Sequence, residues 1–245
     1  MSTPAVEEYL ELLYRLKAAD HGVRPAAVAR HLGVSTAAVA EMLNRLEDEK
    51  LIYRSPDRTV RLAEAGAEIG QGQVRKHRLL ERLLHGFIGR PWDTVHEEAC
   101  RFEHAMSDEL TESLAEALGQ PTTCPHGNPI PSTPTQKAPA DEGGADEEPL
   151  AECRVGRTVV VVKIVDERTE LLKYLLSLGL LPGSVLHVEQ VAPLGGPLLI
   201  RVGEARYAIG RDVAAKIWIR EAPPAQPEDG ARPESREPAS RVASG

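Results

Sequence analysis

The sequence predicts a mainly α protein with β structure: a winged helix-turn-helix, an all-helical middle and a small C-terminal β-barrel. Three observations predict it. Between Pro25 and Leu62 a short helix, a glycine turn, a longer helix and a hairpin signal follow one another. Residues 64–118 keep helical periodicity throughout, and β-branched runs punctuated by Gly and Pro fill 152–220.

The elements follow in order. Val6, Leu10, Leu13 and Leu16 recur at three- and four-residue spacing, which predicts an amphipathic helix over 4–19. Pro25 opens the short helix PAAVARHL, and Gly33 ends it. Ser35 is an N-cap for the next helix, whose Val39, Met42, Leu43 and Leu46 form an apolar stripe. LIY and VRL flank SPDRT as a two-stranded hairpin. Three helices are predicted over 64–86, 92–105 and 107–118. The last piece offers TVVVVKIV, SVLHVEQV, PLLIRV, ARYAI and AAKIWI as strands, and LLKYLLSLGL as one helix. Residues 120–149 are dense in Pro, Thr, Gly and acid with almost no apolar periodicity, and read as a linker. The domains expected are therefore 1–63, 64–120 and 151–221, with a Pro-rich linker over 121–150. A tail over 222–245 is too rich in Pro and charge to bury a core.

The net charge is -8, from 29 Lys+Arg against 37 Asp+Glu. A nucleic-acid-binding domain is expected to show a basic footprint, so the balance at first argues against that class. By segment, however, residues 1–62 are neutral, with nine charges of each sign, and the excess acid lies over 63–152. Aromatics are only 4%, which argues against a stacking surface for single strands. No apolar run suits a membrane span, MSTPAVEEYL lacks the regions of a signal peptide, and three cysteines do not make a disulfide framework. A cytoplasmic protein with no membrane partner is expected.

The most specific local signal is HEEACRFEH. On a helix, residues three and four apart share a face, so His96, Cys100, Glu103 and His104 fall on one stripe of N, S and O donors suited to a divalent transition metal. The bland reading is an exposed polar face, which the central cysteine disfavours. His77 and Glu81, four apart on the preceding helix, are by themselves more often a solvated pair. Glu7, Glu8 and Glu11 on the first helix also have a bland role as charges favoured by the helix dipole. HEEAC is similar to the zinc-peptidase H-E-x-x-H, which raises a metal-dependent hydrolase as an alternative. Glu103 and His104 crowd the same face and leave no open coordination position, so no enzyme is expected.

The segments RKHRLLERLL, HEEACRFEHAMSDEL and CPHGNPIP resemble the diphtheria-toxin-repressor family of metal-dependent transcriptional repressors, over about residues 4–219. The resemblance implies a helical dimerisation domain, a FeoA-type barrel similar to SH3 folds, and two metal sites per subunit. It assigns His77, Glu81 and His96 to one site, completed from the barrel by Asp166, Glu167 or Glu170. Cys100, Glu103 and His104 go to the other, with Glu8 from the first helix, and Glu11 and Cys124 join as further candidates. Iron-type members resemble this chain at Cys100 but place Met where it has Glu8; manganese-type members carry a carboxylate there. A carboxylate hardens the ligand set, so Mn(II) is the expected ion, with Fe(II) as the alternative.

The winged helix then implies double-stranded DNA as partner. Ser35, Thr36, Ala37, Ala38 and Glu41 would face base edges in the major groove, and Arg30, Arg45, Arg58 and Arg54 would meet phosphates. The resemblance also implies a homodimer, and two-fold symmetry implies a palindromic operator. Bound metal would pull Glu8 onto Cys100, Glu103 and His104 and so tie the reading head to the second domain. A metal buffer without DNA function is the remaining alternative.

Overall fold

The computed structural model describes residues 3–17, 22–132 and 146–223. Helix α1 (Pro4–Lys17) buries Val6, Tyr9, Leu10 and Leu13. Helix α2 (Pro25–Leu32) begins at its proline and closes on Gly33, whose φ of 65° is the left-handed conformation that suits glycine. Helix α3 (Thr36–Asp48) is capped by Ser35, whose hydroxyl accepts from the Ala38 amide at 3.1 Å. It turns Val39, Leu43 and Leu46 inward. Strands β1 (Ile52–Arg54) and β2 (Val60–Leu62) pair antiparallel as the wing. Asp57 holds their turn by accepting from the amide and hydroxyl of Thr59, with Arg58 at φ 62°.

Helix α4 (Glu64–Gly86) crosses α1 closely, because the glycine at 70 lets the Leu10 carbonyl approach where any Cβ would overlap it. This crossing brings the first helix onto the face of α4 that carries His77 and Glu81. Helix α5 (Val95–Phe102), a 3-10 turn (Glu103–Ala105) and helix α6 (Asp108–Ala117) complete the helical middle. Its small core contains Leu80, Leu84, Val95, Ala99 and Met106.

The C-terminal piece is one six-stranded antiparallel sheet in the order β3-β8-β4-β5-β6-β7. Its strands are β3 (Glu148–Pro149), β4 (Thr158–Ile164), β5 (Val185–Val191), β6 (Leu198–Val202), β7 (Ala205–Ile209) and β8 (Ile217–Glu221). Helices α7 (Thr169–Ser177) and α8 (Arg211–Ala214) accompany it. Register shifts in β4 and β5 bend the sheet into an SH3-like half-barrel whose edges β3 and β7 do not pair. Its core reaches outside the sheet: Trp92, from the loop before α5, is buried among Leu150, Ile164 and Leu172.

The linker reading needs correction at both ends. Residues 121–132 are packed between α4 and the sheet, and Glu148–Pro149 form the edge strand beside β8. The segment owes its place to backbone carbonyls rather than to an apolar face. Arg82 and Arg78 donate to the carbonyls of Thr123 and Pro129, Arg75 to Pro131 at 2.9 Å and Gln71 to Ser132 at 2.9 Å. Gly127, at φ 84°, sits against the Val162 carbonyl where a Cβ would collide. The rest of the expected linker (133–145) and nearly all of the expected tail (224–245) lie outside the described residues. No helix among the described residues is long and apolar enough to cross a membrane.

Candidate metal centre

Six chain segments meet at and behind one cleft of about 600 Å³, which is lined from α1, α2, α5 with its 3-10 extension and the turn after β4. Helix α4 gives His77 and Glu81, one turn apart, and α5 gives His96 and Cys100, also one turn apart. The 3-10 turn adds Glu103 and His104, α1 adds Glu7, Glu8, Glu11 and Arg15, and the 121–132 segment adds Cys124 and His126. Glu167 arrives from the turn after β4.

His77 is the hub. Its Nδ1 lies 2.5 Å from Glu103 Oε2, and its Nε2 lies 3.0 Å from Glu81 Oε1 and 2.8 Å from His96 Nδ1. His96 Nδ1 is also 3.2 Å from Glu167 Oε2. Cys100 Sγ sits 3.8 Å from His96 Nε2 and 3.9 Å from His77 Nδ1. Four overlapping groups have donor atoms within 4.8 Å of one another: His77/His96/Cys100, His77/Glu81/His96/Glu167, Glu81/Cys124/His126/Glu167 and Glu11/His77/Glu103.

The electrostatics follow from burying this much charge. Glu81 is 0% and Glu167 3% exposed. Burial alone would raise both pKa values, but His77 and His126 hold Glu81 well below the carboxylate range. Arg15 and His96 do the same for Glu167, against the like charge of Glu81. Burial would lower the histidines, yet their acidic neighbours reverse it: His77 and His96 are well above the ordinary value, and His126 is pushed up to about 11. Burial would also raise the Cys100 thiol, which its two imidazole neighbours bring down instead. Glu11 goes the other way; burial and nearby Glu103 raise it despite His77 and Arg15.

These residues fit a divalent ion on two grounds. The donors are carboxylate, imidazole and thiol, the set that first-row divalent metals take. Two of them are also orphaned: Glu81 Oε2 and His126 Nδ1 are buried without a hydrogen-bond partner. His126 Nδ1 lies 3.3 Å from Glu81 Oε1 but lacks hydrogen-bond alignment. Unpartnered buried polar atoms are costly and need an explanation.

The grouping differs from the sequence reading. Cys100, Glu103 and His104 do not form one donor group: Cys100 joins His77 and His96, Glu103 joins His77 and Glu11, and His104 lies with its Nε2 3.5 Å from Glu103 Oε1 and its Nδ1 2.9 Å from Glu7 Oε2. Glu8 lines the cleft but is exposed and belongs to none of the four groups, whereas Glu11, one turn on, is buried. Among the barrel acids, Glu167 enters the centre, Asp166 pairs with Arg168 at 2.8 Å, and Glu170 is exposed. Cys124 meets Glu81 and Glu167 together with His126, which the linker reading passed over. The one-residue spacing of Cys124 and His126 is the signal that was there to be used. Asn128 was passed over too; its amide donates to Glu167 Oε1 at 2.6 Å and to the Ile164 carbonyl at 2.8 Å.

On the winged helix, Thr36, Ala37, Ala38 and Glu41 are exposed along the first turns of α3, and Ser35 is exposed while capping it. Arg58 is exposed at the wing tip and Arg30 at the end of α2, where it lines the cleft. Arg45 is paired with Glu49 at 2.8 Å, both exposed, and Arg54 is held by Glu47 and Asn44.

A winged helix-turn-helix whose first helix lines a metal-suited cleft defines a class: metal-dependent DNA-binding regulators, which are not enzymes. The chain belongs to the iron-dependent repressor family. Models of its N-terminal DNA-binding domain, its metal-binding and dimerisation domain and the FeoA domain match residues 1–60, 63–132 and 148–221. The chain is 35% identical over 223 residues to the iron-dependent repressor IdeR of Mycobacterium tuberculosis, covering 87% of this chain and 95% of that one. It is 41% identical over 127 residues to the diphtheria toxin repressor of Corynebacterium jeikeium, about half of each chain. Among solved structures, the manganese regulator SloR superposes with a TM-score of 0.77 at 27% identity, covering 90% of this chain and all of that one. A manganese-dependent transcriptional repressor in complex with manganese gives 0.77 at 29%, covering 89% and 100%.

Proposed function

We propose that the protein is a cytoplasmic, metal-activated repressor of manganese or iron homeostasis genes that binds a palindromic operator as a homodimer. The observation that carries this is the meeting of donors from α1, α4, α5, the 121–132 segment and the barrel in four overlapping groups. Two ions per subunit are proposed. Glu81, His126, Cys124 and Glu167 would hold one, with His77 and His96 beside them. Cys100, Glu103 and His104 would hold the other, with Glu11 and, at the cleft mouth, Glu8.

A bound divalent ion supplies positive charge and a common centre for these donors. The chain's own residues do the rest. Glu11 shares α1 with Val6, Leu10 and Leu13, which pack the winged-helix core. Fixing Glu11 against Glu103 therefore fixes the reading head relative to the helical middle. Ser35, Thr36, Ala37, Ala38 and Glu41 then read bases, while Arg30, Arg45 and Arg58 meet phosphates. The apolar groove of Leu80, Leu84, Phe102, Met106, Leu110 and Leu114, with Phe102 and Leu110 more than half exposed, suits a second copy.

Manganese is favoured by the carboxylates Glu11, Glu81, Glu103 and Glu167, hard ligands that outnumber the thiols. Iron is the second reading, favoured by Cys100 and Cys124 and by the relatives named as iron-dependent. Operator binding measured with Mn(II), with Fe(II) and with chelator tests the proposal; equal binding in all three rejects metal activation.

A further inference from the structure

One cleft-lining side chain, assigned to neither metal nor DNA, is paired with a candidate donor of the centre. Arg15 lies one turn after Glu11 on α1, and its guanidinium ion-pairs with Glu167 from the barrel and lies 3.7 Å from Glu11 Oε1. Its side chain is 22% exposed, whereas those of Glu11 and Glu167 are 7% and 1% exposed. Among the described residues it is the only Lys or Arg paired with a carboxylate of the four donor groups. A guanidinium and a divalent ion ask the same thing of Glu167, a pair of oxygen lone pairs.

We infer that Arg15 is a built-in counter-cation of the metal centre, holding Glu167 and Glu11 until a divalent ion displaces it. This rests on the metal-activated reading above and adds a residue that sets the response threshold. Arg15 leaves the carboxylates paired in the metal-free state, where like charges would otherwise repel across the cleft. It also makes metal uptake cost an ion pair and a charge repulsion. Because Arg15 belongs to the winged helix and Glu167 to the barrel, the ion pair holds the first and third domains together until metal takes Glu167.

The test is calorimetric titration of the full chain with Mn(II) in the absence of DNA. Arg15→Gln is expected to bind Mn(II) about tenfold more tightly than the unaltered chain, since a competing positive charge is gone. Arg15→Lys, which keeps the charge, is expected to stay within about threefold of the unaltered chain. An Arg15→Gln affinity that is unchanged or weaker overturns the inference, because an arginine that only glues the domains together would lower affinity when removed. Should Arg15→Gln not fold, modification of the unaltered chain by phenylglyoxal, read by mass spectrometry, decides. Arg15 labelling that rises on Mn(II) addition supports displacement, and labelling that stays level or falls overturns it. Failure of the broader reading looks different: none of the chains takes up Mn(II), or operator binding ignores it.

Discussion

The ring centroids of Trp92 and His126 lie 4.9 Å apart, and the Trp92 carbonyl accepts a hydrogen bond from His126 Nε2 at 2.9 Å. That bond leaves Nδ1 facing Glu81 and Glu167. The Trp92 backbone carbonyl and indole thus fix the ring orientation of His126, a proposed metal ligand, in the manner of outer-shell partners generally. It also donates from Nε1 to the Pro125 carbonyl at 2.9 Å and fills the barrel core. Trp92→Ala is expected to cost about 3–5 kcal/mol in denaturant unfolding, as large-to-small core changes do. It keeps the backbone carbonyl that accepts from His126, so any weakening of Mn(II) binding should come only from the lost indole beside the imidazole. Trp92→Phe keeps most of the packing and should cost about 1 kcal/mol from the lost Nε1 bond.

The two helical glycines at 70 and 72 separate packing from propensity. Gly70→Ala drives a Cβ into the Leu10 carbonyl and the Tyr14 side chain, so α1 must move off α4. It is expected to destabilise the chain by about 1–3 kcal/mol and to abolish metal-dependent operator binding. Gly72→Ala meets nothing within 4 Å and should stabilise by about 0.4–1 kcal/mol. Thermal melts and operator titrations of the pair check this; equal behaviour would contradict the role of the close crossing.

Glu8 and Glu11 share a helix but not an environment. Glu11 is 5% exposed and sits with His77 and Glu103, whereas Glu8 is exposed. Glu11→Ala is expected to uncouple metal from operator binding, and Glu8→Ala to change the Mn(II) midpoint by less than about threefold. The reverse order would return the primary role on α1 to Glu8. His126→Ala should lower Mn(II) affinity at least as much as Cys124→Ser.

These cases show what was legible in the sequence. Pro25, Gly33 and Ser35 act through local backbone rules, and the helix ends they mark are close to those observed. The packing of the 121–132 segment was opaque, although its CPHGNPIP carried the family resemblance, because it has no apolar stripe; Arg75, Arg78, Arg82 and Gln71 anchor it through its carbonyls, which every residue has. His126 was hidden with it. Helical spacing put Cys100, Glu103 and His104 on one face; α5 gives way to a 3-10 turn at Glu103, where Glu103 and His104 stay 3.5 Å apart while Cys100 groups with His77 and His96. Arg15 carried no signal, since its partner Glu167 is distant in sequence.

The buried ion pairs make metal uptake depend on pH. His126, raised from 6.5 to about 11, is an imidazolium at neutral pH in the metal-free protein. Its contribution to stability is complete below pH 6.5 and is lost as pH rises towards 11. Glu81 and Glu167, lowered from 4.5, contribute fully above that value and lose their effect as pH falls through their folded values. A metal ion takes neutral imidazole, so binding must expel protons. At least one proton released per ion is expected at pH 7, with affinity rising through pH 6–8. Calorimetry in buffers of different ionisation enthalpy counts them, and zero release contradicts the ion-paired centre.

The central claim is that metal couples α1 to the helical middle and so arms the winged helix. Operator affinity of the unaltered chain and of Glu11→Ala, each with Mn(II) and with chelator, measures it most directly. Tight binding is expected only for the unaltered chain with Mn(II), and weak, metal-independent binding for Glu11→Ala. Tight binding by the unaltered chain in chelator, or full Mn(II) activation of Glu11→Ala, would contradict it.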